Sequence, residues 1–232
     1  MFINFLFGMD PSTLTGFTFF VVNMALLASA LFFWIERDNV NPKWKTSLTV
    51  SGLVTFIAAV HYFYMRGTDG VETVAIRYID WLITVPLLMV ELYIVLLAVT
   101  NVSSSVFKKL LAFTTLMLVF GYLGETEAMG FSHMTGFIAS CVFWLLALRE
   151  IWSGEANEAN AGSSNAAGQY AYTTLRKIIT FGWIIYPLGY ALGYFGGGVN
   201  MDTVNQVYNL ADFINKILPG VIVWAAARMD TK

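Results

Sequence analysis

The sequence predicts an all-α membrane protein, a seven-transmembrane-helix bundle formed by a single domain over residues 1–232. Three observations carry that reading. Of the 232 residues, 57% are hydrophobic and only 12% are charged, against about 25% charged in an ordinary soluble domain. Apolar segments long enough to cross about 30 Å of hydrocarbon recur seven times. The breaks between them are too short to hold a second domain, and no internal repeat is visible.

The spans fall near 13–35, 46–66, 74–99, 106–124, 132–152, 172–195 and 204–227. Their breaks carry turn chemistry. Asp10-Pro11-Ser12 precedes the first span, Asn39 to Pro42 follows it, Gly67 to Gly70 follows the second, and Asn101 to Ser105 follows the third. Ser153 to Gly168, rich in Gly, Ser, Asn and Ala, reads as a flexible loop. Gly196-Gly197-Gly198 closes the sixth span.

With seven spans the two ends of the bundle lie on opposite sides. Arg37, Lys43, Lys45, Lys108, Lys109, Arg149, Arg176, Lys177, Arg228 and Lys232 flank one side and Arg66 flanks the other. Lys/Arg asymmetry therefore puts the N-terminus outside and the C-terminus in the cytoplasm. A net charge of −2 points to no nucleic-acid partner. The single Cys141 excludes an intrachain disulfide framework and reads as a buried thiol. Met1 to Phe7 is apolar but too short for a signal-peptide core and has no basic residues before it, so a cleaved signal is either absent or already removed.

The third span holds RYIDWLITVPLLMVE at 77–91. At about 100° per residue, Arg77, Asp80, Thr84 and Glu91 fall within roughly 60° of one another. Asp80 and Glu91 are then on the order of 16 Å apart along that face, about half of a hydrocarbon core. Either carboxylate alone is equally well a packing or helix-end residue. Four polar groups on one intramembrane face mark a proton or ion pathway. In the deduced orientation Asp80 lies toward the outside and Glu91 toward the cytoplasm, where Leu87, Leu88, Val90, Leu92 and Val95 surround Glu91 and favour its protonated form.

The seventh span holds YNLADFINKIL at 208–218, with Asp212 and Lys216 stacked four residues apart. Lys216 lies about twelve residues from either end of the span, beyond the reach of snorkelling. Its special chemistry is a Schiff base with an aldehyde, which needs a dry pocket and a carboxylate counterion. Asp80 and Asp212 are both available. The pocket should be long, apolar and aromatic. Trp81 lies beside Asp80, and Trp183, Tyr186, Pro187 and Tyr190 share the sixth span.

These residues, together with KWKTSLTVSGLVT at 43–55, HYFYMRG at 61–67, FKKLL at 107–111, MLVFGYLGE at 117–125 and FGWIIYPLGY at 181–190, resemble the microbial (type 1) rhodopsins, specifically the proton-pumping proteorhodopsin branch. The resemblance covers nearly the whole chain. It implies all-trans retinal bound covalently to Lys216, Asp80 as primary counterion and proton acceptor, Asp212 as second counterion and Glu91 as cytoplasmic proton donor. Arg77 would sit below the counterions toward the exit, Thr84 would hydrogen-bond within the cluster, and His61 would pair with the counterion. Trp81, Leu88, Trp144, Trp183, Tyr186, Pro187, Tyr190 and Tyr208 would wall the retinal, with Leu88 at the site where Leu accompanies green absorption. The resemblance also implies a multi-pass protein of the bacterial inner membrane, embedded in the lipid bilayer and assembled as a homo-oligomer of five or six copies.

Four positions depart from the family pattern. Pro219 is expected to kink the seventh helix or open its hydrogen-bond ladder. Asn23 adds a polar group to the first span. Phe20 replaces a Trp that reaches a neighbouring protomer's histidine. Phe137 is bulky where carotenoid-binding relatives have Gly, which speaks against an antenna pigment.

The mechanism expected is vectorial. Two carboxylates with opposite resting states, Asp80 charged and Glu91 protonated, allow one-way proton transfer outward. A sensory photoreceptor on the same fold is the alternative, disfavoured because Glu91 supplies a reprotonation that a sensor does not need. A chloride pump should lack a carboxylate at position 80, and a sodium pump should carry Asn and Gln in this constellation. Short loops and the lack of a cysteine pair argue against a G-protein-coupled receptor.

Overall fold

Helices form because the lipid-facing backbone has no water to satisfy it and must bond internally. The computed structural model describes residues 9–68, 71–197 and 200–231. Met1 to Phe7, Asp69-Gly70, Gly198 and Lys232 lie outside the described residues. The elements are α1 (Leu14–Glu36), α2 (Lys45–Met65), α3 (Val71–Leu97), α4 (Ser104–Glu125), α5 (His133–Ser153), α6 (Glu155–Ala161), α7 (Ala166–Lys177), α8 (Ile185–Phe195) and α9 (Met201–Met229). One wide π-helical stretch, Ile178–Gly182, joins α7 to α8. Seven of the spans so formed are long and apolar enough to cross a membrane.

Short polar side chains start the helices where the sequence places its breaks. Thr13 Oγ1 accepts from Gly16 N at 3.1 Å, Ser103 Oγ from Ser105 N at 3.1 Å, Ser132 Oγ from Thr135 N at 3.2 Å and Asn200 Oδ1 from Thr203 N at 2.9 Å. Each satisfies an amide that the first helical turn leaves without a carbonyl. Gly197, with φ of +63°, turns the chain after α8.

The helices close into a ring: α1 packs on α2, α2 on α3, α3 on α4, α4 on α5, α5 on α8, and α9 joins α7 and α8 back to α1. The usual pattern of a soluble protein is reversed. Arg77, Asp80, Asp212 and Lys216 are buried inside, while Leu31, Ile35, Leu145 and Leu188 are exposed outside. Where α4 meets α5, a Cβ on Gly124 would lie 2.8 Å from Gly136 Cα. Only glycine permits that approach.

The segment 153–168 is largely helical, not a flexible loop. Its alanines favour helix, and its Asn and Gly residues bound two helices instead of filling a linker. Asn165 Oδ1 caps α7 by accepting from Gly168 N at 2.8 Å. Lys109 Nζ holds Glu155 at 2.6 Å, and Arg176 donates to Asn157 at 2.8 Å. Cys141 is half-buried and lines an internal cavity, so it is not the packed thiol expected.

The remaining departures find packing roles. Asn23 Nδ2 donates to Ala59 O at 2.6 Å, tying α1 to α2. The Arg66 guanidinium lies 5.3 Å over the Phe20 ring. Pro219 sits within an α9 that runs from Met201 to Met229. Past the end of α9, the Asp230 carboxylate accepts from Trp44 Nε1 at 2.8 Å, Asn165 Nδ2 at 2.7 Å and Lys43 Nζ at 2.7 Å. Burial pushes the Asp230 carboxyl up, and these three donors outweigh it, holding it below the usual range.

Candidate functional site

The spacing of α9 aims Asn205, Asn209, Asp212 and Lys216 into the bundle, and all four are buried. Lys216 Nζ forms a direct ion pair with Asp80 Oδ2 and lies 3.3 Å from Asp212 Oδ2. A buried ammonium needs paired charge of this kind. The amine that the sequence singles out therefore meets both of its expected carboxylates.

The two carboxylates differ in how fully they are hydrogen-bonded. Asp212 Oδ1 accepts from Tyr186 Oη at 2.8 Å and Trp81 Nε1 at 3.1 Å, while Oδ2 accepts from Tyr62 Oη at 2.9 Å. Asp80 has Lys216 on Oδ2, whereas its buried Oδ1 makes no hydrogen bond among the described residues. His61 Nδ1 is 3.6 Å from that oxygen and bonds Ile57 O at 2.8 Å. The Thr84 hydroxyl donates to the backbone carbonyl of Asp80 at 3.0 Å, fixing the helix turn and leaving the carboxylate alone. Asp212 is thus saturated, and Asp80 retains a lone pair that can take a proton.

Arg77 lies one turn from Asp80, toward the first residue of α3. Its Nη2 donates to Asn205 Oδ1 and Asn209 Oδ1, each at 3.1 Å, and the guanidinium carbon lies 5.3 Å from the centre of the Tyr208 ring. At the other end of the face, Glu91 is buried and Ser51 Oγ donates to its Oε1.

A cavity extends from Lys216 between the third, fourth, fifth, sixth and seventh spans. Trp81, Leu88, Trp144, Trp183, Tyr186, Pro187, Tyr190 and Tyr208 all line it, so the expected aromatic wall is assembled in full. The Trp81 ring meets Tyr186 and Tyr208 edge-on at 5.1 and 5.3 Å between centroids. A long apolar aldehyde fits this shape and composition, with an amine at one end and two carboxylates beside it. Arg77, Thr84, His61 and Glu91 lie outside the cavity wall. A second, smaller cavity borders Glu91 and shares Leu88 and Trp183 with the first.

Residues 13–229 match the family model of bacteriorhodopsin-like proteins. The chain belongs to the bacteriorhodopsin-like family. It is 52% identical over 223 residues to a green-light absorbing proteorhodopsin from Gamma-proteobacterium EBAC31A08, covering 94% of this chain and 88% of that relative. Among solved structures, a blue light-absorbing proteorhodopsin from Med12 superposes with a TM-score of 0.82 at 44% identity, covering 94% of this chain and 100% of the other. Xanthorhodopsin, described as a light-driven ion pump with dual chromophore, superposes with a TM-score of 0.79 at 25% identity, covering 96% of each chain.

For a member of this family the site contains more than sequence reasoning found. Tyr62 bridges Arg77 and Asp212, and Ser51 holds Glu91; both stand inside motifs quoted for the resemblance, but neither residue type is costly enough in a membrane to draw notice. Asn205 and Asn209 repeat the four-residue spacing of Asp212 and Lys216, a signal that could have found them. Tyr208 Oη donates to the buried Glu125 at 2.7 Å. Glu125 ends its span, where a solvated carboxylate is the ordinary reading.

Proposed function

We infer that this chain is a light-driven outward proton pump that carries all-trans retinal on Lys216, absorbs green light and works as one seven-helix unit. The observation that supports it best is the unequal pair at Lys216: a saturated Asp212 and an Asp80 with an oxygen open to a proton. The cavity beside Lys216 fits retinal, with Trp81, Trp144, Trp183 and Tyr186 as its enclosing walls. When bound, retinal supplies light absorption and an isomerisation that lowers the proton affinity of the nitrogen carrying it.

The residues do the rest. Lys216 Nζ passes its proton to Asp80. Asp212, already holding three neutral donors, keeps its negative charge and its place. Arg77, anchored by two asparagines, presents a fixed positive charge on the exit side and favours departure of the proton toward the outside. Glu91, held protonated in apolar surroundings, returns a proton to Lys216 Nζ from the cytoplasmic side. Thr84 steadies the turn of α3 carrying Asp80, and His61 stands close enough to modulate it.

Leu88 on the cavity wall favours green absorption, by resemblance. Phe137 lines the cavity where carotenoid-binding relatives have Gly, which disfavours an antenna pigment. The arrangement of cationic flanks supports an outside N-terminus, and the green-absorbing relative supports a bacterial inner membrane. A homo-oligomer in the lipid bilayer follows from the same resemblance.

The test is illumination of cells carrying the pigmented protein while external pH is recorded, with an uncoupler as control. External acidification that the uncoupler abolishes is expected. Lys216→Ala should form no visible pigment when retinal is added and should not acidify the medium. A covalent, pH-sensitive visible pigment in Lys216→Ala would overturn the lysine assignment.

A further inference from the structure

The cavity wall across the ring of helices from Lys216 carries two hydroxyls that the function above leaves unused. Lys216 comes from α9, whereas Gly121 belongs to α4 and Ser140 to α5, on the far side of the bundle. Tyr78, from α3, leans toward α4, with its ring 5.4 Å from the ring of Tyr122. Tyr78 and Ser140 both line the cavity. Their oxygens meet at Gly121, where a Cβ would lie 2.8 Å from Tyr78 Oη and 3.5 Å from Ser140 Oγ. The missing side chain keeps that corner open, and the two hydroxyls stand close enough together for one ligand oxygen to bond both.

Neither hydroxyl has a partner of its own. Tyr78 is only 5% exposed, yet its Oη makes no hydrogen bond among the described residues. Ser140 behaves unlike other hydroxyls in these helices. Ser51, Thr55, Thr84 and Thr114 each donate to the carbonyl four residues earlier, the usual way a helix interior satisfies them. Ser140 makes no such bond. Polar groups inside a membrane bundle are ordinarily hydrogen-bonded, and an apolar cavity wall is a costly place to leave two unmet.

We propose that Tyr78, Ser140 and the bare backbone at Gly121 form a subsite for an oxygen carried on the ring of the bound aldehyde, so that this chain takes a ring-hydroxylated retinal in preference to retinal itself. The inference rests on the retinal reading above. A ring hydroxyl is donor and acceptor at once, as are both protein hydroxyls, so it can accept from one and donate to the other. Met117, Phe137 and Cys141 supply the apolar remainder of this wall for the rest of the ring. The aldehyde stands at the opposite end of the polyene, so its reactivity toward an amine is the same with or without the ring hydroxyl. A site built to bond a hydroxyl discriminates against the analogue lacking it, because its own polar groups are then left unpaired.

The test is a competition on the full-length, pigment-free protein in membranes. Equal amounts of all-trans retinal and either all-trans 3-hydroxyretinal or all-trans 4-hydroxyretinal are added in excess, and the bound aldehydes are extracted and quantified by chromatography. Two added hydrogen bonds should enrich at least one hydroxylated form about tenfold. Ser140→Ala should cut the enrichment to about threefold, and Tyr78→Phe combined with Ser140→Ala should abolish it. Both proteins should still form visible pigment with retinal alone. Ser140→Ala makes the smaller change and keeps the comparison available should the double variant fold poorly. A wild-type ratio no higher than that of Ser140→Ala, for both hydroxylated forms, overturns the subsite. Visible pigment from none of the aldehydes in the wild type would instead sink the retinal reading itself.

Discussion

Arg77 and Asp212 are 3.8 Å apart at their nearest atoms, and the Tyr62 hydroxyl bridges them, accepting from Arg77 Nη1 at 3.2 Å and donating to Asp212 Oδ2 at 2.9 Å. One neutral hydroxyl couples the two charges. Tyr62→Phe should leave Arg77 and Asp212 each one hydrogen bond short in a buried setting, at a cost of about 1–3 kcal/mol. A lower midpoint for thermal loss of the visible band is the expected outcome, and an unchanged midpoint would show that the ion pair stands without the bridge.

In the proposed pump, Asp80 should carry the titration that sets colour. Protonating it would remove the negative charge nearest the nitrogen of a retinal-bearing Lys216, so acidification should move the absorption maximum to the red. Asp80→Asn should be red-shifted already at neutral pH and show no further acid shift. His61→Ala should move the midpoint of the wild-type transition, since His61 Nδ1 lies 3.6 Å from Asp80 Oδ1. Spectra recorded through an acid titration of all three proteins check this.

Glu91 separates pump from sensor. Glu91→Gln keeps size and polarity but has no proton to give, and a positioned general acid is typically worth about 10²–10⁴-fold. Recovery of ground-state absorbance at neutral pH should slow by a factor in that range, with added azide restoring part of the speed. Recovery and steady pumping at the wild-type rate would make Glu91 a packing residue and revive the sensory alternative.

Asp230 gives the fold a pH dependence of its own. Its carboxyl titrates lower in the folded protein than in the unfolded chain, so the stabilisation is fully present above about pH 3.9 and is lost as pH falls through the lower folded value. Asp230→Asn should lower the thermal midpoint at neutral pH and narrow its gap from wild type in acid. Midpoints measured from pH 7 downward check the sign; a gap that widens in acid would contradict it.

The charged half of the site was legible because charge in a membrane is expensive. Lys216, Asp80, Glu91, Asp212 and Arg77 could not be there cheaply, so their positions announced a purpose, and helical spacing was enough to set them on common faces. The aromatic wall was legible through the resemblance, and all eight of its residues line the cavity. Tyr62, Ser51 and Glu125 were not, because tyrosine and serine are ordinary in membrane helices and a glutamate at a span end is ordinarily solvated. Their roles arise from contacts between helices, which spacing along one helix does not encode. The helices within 153–168 were hidden for a different reason. Asn and Gly signal both loops and helix ends, and which applies depends on partners such as Lys109 and Arg176 from other elements.

The π-helical stretch Ile178–Gly182 has a consequence for chain length. A π turn accommodates one residue more than the α turn it replaces, which rotates everything beyond it by about 100° relative to α7. Trp183, Tyr186, Pro187 and Tyr190 all come after that point, so their aim into the cavity depends on a single surplus residue. Deleting one residue between Ile178 and Gly182 would leave the composition of the sixth span nearly intact while turning its aromatic wall away from Lys216. In this span, insertions and deletions carry more risk than most substitutions.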